Sequence, residues 1–130
     1  MKFSEREPPR RFLVGRESRV EISDCGTVQL AENEQVTFLT SNDHEYDVAR
    51  KEWGYYATPS LNGRLVGNDL RAVLVKNPSG KFYVLIVERG HEPAFHRYLE
   101  EEGMSVVAWM DSDVSLSDIE RGVELIRGRS

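Results

Sequence analysis

Over the first 90 residues apolar positions mostly alternate with polar ones, and after Gly90 they recur every three to four, so strands are expected first and helices late. Residues 11–14 and 18–22 read as short strands around Gly15, with Val20 and Ile22 alternating against Arg19 and Glu21. Residues 24–27 read as a turn and 27–30 as a further short strand. The polar run 31–34 interrupts, and residues 35–39 resume with Val36 and Phe38 on one face. Ser41, Asn42 and Asp43 are turn formers. The pattern from 44 to 50 permits a strand or a loop, because its apolar content is thin. Residues 53–58 form a better strand, since aromatic side chains suit a pleated, half-buried surface, and Thr58-Pro59 ends it. Asn62-Gly63 predicts a tight hairpin turn, and Gly67-Asn68-Asp69 a second turn.

Residues 70–87 hold two apolar runs, LRAVLVK and KFYVLIVE, joined by Asn77-Pro78-Ser79-Gly80. They predict a hairpin, and its two apolar faces place both strands centrally, covered on each side. Pro93 suits a first helical turn, Phe95, Tyr98 and Leu99 share a stripe, and Gly103 stops the helix. A strand over 105–110 then completes a strand-helix-strand crossover between parallel strands of one sheet. Ser117-x-x-Glu120 reads as a capping box for a last helix striped by Leu116, Ile119, Val123 and Ile126 and closed by Gly128. The fold class is therefore α+β, predominantly antiparallel β, with a C-terminal helix-strand-helix. Pro8 and Pro9 mark residues 1–10 as a flexible arm, leaving 11–130 as a single α+β domain.

Composition changes this picture little. With 39% hydrophobic and 30% charged residues, 130 residues suit one soluble domain with one core. The longest nearly apolar run, 82–87, is too short to cross a bilayer, and the polar N-terminus has no apolar signal core, so a cytoplasmic location and no membrane partner are expected. Residues 1–19 carry six basic and three acidic side chains, which leaves the remainder at −8 within a net charge of −5. That balance opposes nucleic-acid binding. Cys25 is the one cysteine, which excludes an intramolecular disulfide and a multi-thiolate zinc site, and it reads as a small buried residue.

The densest candidate chemistry lies in residues 43–64, DHEYDVARKEWGYYATPSLNGR. Trp53, Tyr55 and Tyr56 offer flat faces for a sugar or base, or else fill a core and a strand edge. Asp47, Arg50, Lys51, Asn62 and Arg64 would orient a polar ligand, with an arginine pairing a phosphate or carboxylate, or they form a solvated strand face. His44 with Tyr46 or Tyr55 would supply acid-base groups. No metal and no cofactor are expected: on the first helix Glu92 and His96 share a face, but His91 and His96 diverge, a poor ligand set. Glu100, Glu101 and Glu102 read as a solvated charge run.

The segments GTVQLAENEQVTF and HEYDVARKEWGYY resemble the strand succession of small cupin-type β-sandwiches, a group that includes sugar-nucleotide epimerases and isomerases. The resemblance implies a cupin-like sandwich or half-open barrel. His44-Glu45-Tyr46 departs from it by placing a tyrosine at the second metal ligand, which implies a non-metal member. The stretch EYDVARKEWGYYATPSLNGRL, with RAVLVKN, FYVLIVERG and FHRYLEEEGMSVVAWMD, resembles small uncharacterised bacterial proteins of surface-polysaccharide and nucleotide-sugar gene sets, over residues 24–111. It implies a carbohydrate context and assigns no residue a role. The leading functional expectation is a carbohydrate- or nucleotide-sugar-binding or accessory domain in bacterial polysaccharide biosynthesis. A metal-independent sugar-nucleotide epimerase or isomerase and a protein-interaction module are the alternatives, and whether the chain is an enzyme stays open. Two terminal helices and exposed ridges also suit a homodimer.

Overall fold

Lys2–Val14 (β1) and Val20–Gln29 (β2) pair as an antiparallel hairpin in the computed structural model, which describes residues 1–57 and 59–128. Residues 1–10, expected as a flexible arm, thus run inside β1. Prolines favour that extended geometry but withhold two amide donors, and the ladder absorbs the loss with a bulge. Glu5 faces Gly26 and Arg10 faces Asp24, so residues 6–9 stand against Cys25 alone. Asp24 holds the bulge in shape: Arg6 Nη1 lies 2.6 Å from its Oδ1, and Arg10 Nη2 donates to its Oδ2 at 3.1 Å. β2 therefore continues through 24–27, where a turn was expected, and Cys25 is exposed at the bulge and not buried.

Gln35–Leu39 (β3), Glu45–Lys51 (β4) and Gly54–Ala57 (β5) form an antiparallel sheet in the order β3-β4-β5. The segment with thin apolar content is its central strand. Its third residue, Asp47, is buried and accepts a hydrogen bond from Thr37 Oγ1 at 2.6 Å. Trp53, expected to open a strand, instead forms the β4–β5 turn with Glu52, between paired Lys51 and Gly54. Thr58, expected to end that strand, lies outside the described residues. Both sheets belong to one compact unit, Met1–Thr58, and Pro59–Ser130 forms a second, where one domain over 11–130 was expected. Among the described residues of the first unit, Leu30 and Asp47 are the buried side chains.

In the second unit Asn62-Gly63 does not make a hairpin turn. Ser60 Oγ accepts from the Arg64 amide at 2.8 Å, which satisfies a helix-start donor, and a short helix α1 (Arg64–Gly67) follows with Leu65 fully buried. Leu70–Lys76 (β6), Phe82–Glu88 (β7) and Ser105–Trp109 (β8) form a sheet in the order β7-β6-β8, with both flanking strands antiparallel to β6. The 70–87 hairpin forms as expected. β7 is nonetheless an edge strand, with Phe82, Tyr83 and Val84 exposed, so only β6 is covered as the apolar runs implied. β7 and β8 run in the same direction, but β6 lies between them, so the helix Glu92–Glu102 (α2) spans a split crossover.

Val73, Val75 and Val87 meet Leu99 of α2 in the core, flanked by Leu85, Phe95, Met104 and Trp109. α2 ends at Gly103, whose φ of 65° is the left-handed conformation that glycine adopts without a Cβ clash. The last helix, α3 (Asp113–Arg127), starts before the expected box at Ser117, because Ser112 Oγ captures the Ser115 amide at 3.1 Å. Architecture is thus mostly antiparallel β in three small open sheets, with a C-terminal helix-strand-helix. Among the described residues no helix is long and apolar enough to cross a membrane.

Candidate functional site

Strand alternation decides which candidate residues share a surface. Across β4 and β5, Arg50 pairs with Tyr55 and Ala49 with Tyr56. Directly paired residues point to one side of a sheet and their neighbours to the other, so Tyr46, Arg50 and Tyr55 lie on one face and Asp47, Lys51 and Tyr56 on the opposite face. Trp53 caps the tip between them. The three aromatics are 71%, 68% and 51% exposed in sequence order, so they fill no core and build no single flat platform.

The polar members of the set are already employed. Arg50 Nη1 donates to the Leu30 carbonyl at 3.2 Å and Nε to the Lys51 carbonyl at 3.1 Å. Lys51 Nζ donates to Asn33 Oδ1 at 2.5 Å. Asp47 is buried beside Thr37, so it offers a ligand nothing from its present position. Asn62 and Arg64 belong to the second unit, where Asn62 Nδ2 donates to Asp113 Oδ1 at 2.6 Å. Of the proposed acid-base set, His44 with Tyr46 or Tyr55, the two tyrosines do not act together: Tyr46 and the Tyr55 partner Arg50 are four residues apart on β4, roughly 13 Å at 3.3 Å per residue. His44 closes the β3–β4 turn, its amide donating to Thr40 Oγ1 at 3.2 Å.

A second cluster, which the apolar patterning concealed, sits at one end of the β7-β6-β8 sheet. Arg71 of β6 points to the core face; its guanidinium lies 3.9 Å from the Trp109 ring centroid, as a cation over an aromatic face. Nε donates to Asp111 Oδ2 at 2.6 Å, and Nη1 reaches Glu92 Oε2 at 3.4 Å. The hydrogen bond to Asp111 raises the Arg71 pKa above its ordinary value. Glu92 is held below the usual carboxylate range by its own backbone amide, then by the Gly90 amide and by Arg71. A cleft of about 540 Å³ opens here, with Arg89 and Ser112 at its rim. Ser112 Oγ is committed to capping α3, donating to Ser115 Oγ at 2.9 Å as well. The cluster therefore presents a rigid, charge-balanced surface suited to holding a small polar molecule. Its sequence signal was a single arginine inside LRAVLVK, since a cation on a buried strand must find a partner, and Asp111 follows the strand-ending Trp109 by two residues.

The histidines take local roles. His91 Nε2 lies 3.2 Å from Glu88 Oε1, the His96 ring lies tilted beside that of Phe95 with centroids 5.8 Å apart, and Glu92 turns to Arg71 and not to His96. Among the described residues no three His, Cys, Asp or Glu side chains group as metal ligands. Comparison with protein-family models, with curated proteins and with solved structures finds no match to this chain.

Proposed function

We propose that this chain is a non-catalytic interaction module that docks a protein partner through the β4–β5 hairpin. One observation carries the reading: three neighbouring aromatics are exposed on one hairpin, at its tip and on both of its faces. Large exposed aromatic side chains are the residues that dominate binding energy when a partner desolvates them. A sugar platform needs its rings on one side, whereas a protein groove closing around a hairpin engages both. The committed hydrogen bonds of Arg50 and Lys51 fit the same view, because they tie β4 to Leu30 and Asn33 and leave recognition to the aromatics.

The test is a photo-crosslinking residue placed at position 53 of the full chain in cells. A single protein species trapped there, and lost with Tyr55→Ala, supports docking. A nucleotide-sugar that raises the melting temperature of the wild type, but not of Trp53→Ala, would transfer the hairpin to carbohydrate binding instead. A second reading, a small polar ligand of the nucleotide-sugar class held in the second unit, is favoured by the Arg71 cleft. The sequence resemblance to cupin-like sandwiches, and the carbohydrate context that the second resemblance implies, would go with that reading. There the thermal shift would survive Trp53→Ala and disappear with Arg71→Met.

A further inference from the structure

We propose that α3 pairs antiparallel with the α3 of a second copy of this chain, across a two-fold axis near residue 121. In the single chain no side chain of α3 is buried. Ile119, Val123 and Ile126 are 40%, 42% and 67% exposed, and Leu116 is half-buried. These four fall at intervals of three, four and three, the spacing of the a and d positions of a two-helix seam. A helix that served only to be solvated would gain nothing from that order.

Two further features point to the same occupant. Gly122 lies inside this 15-residue helix, where glycine is the poorest choice after proline. A Cβ built on it would meet nothing within 4 Å, so nothing in its own chain requires the missing side chain. It flanks the apolar stripe at the centre of the helix. In an antiparallel pair it lies where the two backbones cross, and there a missing Cβ permits close approach.

Charge order selects the orientation. Asp113, Glu120 and Arg127 recur every seven residues along the other flank of the stripe. With Leu116 layered against the second copy's Ile126, and Ile119 against its Val123, Asp113 comes opposite the second copy's Arg127 at both ends. Parallel pairing would instead set Glu120 and Arg127 against the second copy's Ser115 and Gly122 and leave Asp113 with no charged partner. The helix dipoles also favour the antiparallel arrangement. Glu120 meets its own copy near the axis, which weakens the pair.

A 15-residue helix is only about 22 Å long, and four apolar layers bury less than the roughly 800 Å² a side of a standard interface. The pair should therefore form in the high-micromolar range. None of its residues belongs to the β4–β5 hairpin, so the two proposals stand or fall separately.

Sedimentation equilibrium of the full chain over a concentration series, with the Val123→Glu variant alongside, tests the pairing. The wild type should show a reversible monomer–dimer equilibrium, and Val123→Glu should weaken it at least tenfold while keeping its helical circular dichroism. Arg127→Asp should weaken it and Asp113→Arg combined with Arg127→Asp should restore it. As a measurement independent of these variants, Cys25→Ser with Gly122→Cys should form a disulfide-linked dimer under mild oxidation. Cys25→Ser with Arg121→Cys, on the side of the helix opposite the stripe, should not. A wild type that stays monomeric to millimolar concentration, a dimer indifferent to Val123→Glu, or equal cross-linking at 121 and 122 would each overturn the proposal.

Discussion

Replacing Arg71 by methionine asks whether the second unit is held by the guanidinium or merely decorated by it. Methionine keeps an unbranched stem against the Trp109 ring and removes only the charged fork. The Arg71 side chain is 26% exposed and that of Asp111 10%, with 2.6 Å between Nε and Oδ2. Two charges about 4 Å apart attract by ~4 kcal/mol at an effective dielectric of ~20, but by only ~1 kcal/mol in bulk water. Partial exposure and the desolvation already incurred put the net coupling at about 1–2 kcal/mol. Loss of the stacked cation adds ~0.5–1 kcal/mol. Arg71→Met should therefore cost about 2–3 kcal/mol, because it also strands the nearly buried Asp111. Asp111→Asn should cost less, and the double variant should fall short of the sum by the coupling of about 1–2 kcal/mol. Urea unfolding provides the measurement, followed by the fluorescence of Trp109 in a Trp53→Phe background, so that the signal reports on the second unit. A coupling within about 0.5 kcal/mol of zero would refute the reasoning, and with it the view that this cleft is preorganised.

Trp53→Ala should leave the melting temperature of the free chain almost unchanged, within about 0.5 kcal/mol by denaturation, because an exposed turn residue contributes little to folding. Gly26→Ala should destabilise the β1–β2 hairpin by about 1–3 kcal/mol, since its Cβ would fall 2.4 Å from the Ser4 carbonyl oxygen at a φ of +155°. Amide exchange of residues 2–14 reports that loss. Thr37→Val should cost about 1.5–3 kcal/mol in thermal unfolding by removing a charge-assisted donor from buried Asp47, and a variant as stable as the wild type would show the bond to be idle. Glu92 and Glu34 both have folded-state pKa values below the ordinary 4.5, Glu34 chiefly through its hydrogen bond to the N-terminal amine. Their contribution is therefore complete above that value and is lost as pH falls through their lower folded values. Melting curves from pH 7 to 3 should drop at the acid end, and less steeply in Glu92→Gln.

The sequence was most legible where a run of apolar residues had a defined end. The 70–87 hairpin, the α2 stop at Gly103 and the strand after it all follow from local chemistry. Where long-range pairing decided the outcome, local pattern misled. Pro8 and Pro9 suggested a loose arm, yet β2 supplies a partner that tolerates them through a bulge pinned by Asp24. Asn62-Gly63 fitted a hairpin, but Ser60 had already claimed the next amide donor for a helix. The candidate site failed in a comparable way. Charged residues beside aromatics looked like one constellation along the chain, whereas strand alternation sends them to two faces, and only the register reveals which. Arg71 was hidden because a single cation in an apolar strand says that a partner exists without saying where.

Arg50, nominated for ligand contact, has a different consequence through its bond to the Leu30 carbonyl. A two-stranded hairpin such as β1–β2 is marginal by itself in water. Arg50 ties the end of that hairpin to the centre of the β3-β4-β5 meander, reinforced by the Asn33 amide on the Arg50 carbonyl at 2.7 Å and by the Arg50 amide on the Glu34 carbonyl at 2.9 Å. The two sheets then open as one cooperative element and not as two. Amides of β1 and β2 should exchange with the same free energy as those of β4, and Arg50→Ala should separate the two populations, releasing the hairpin first.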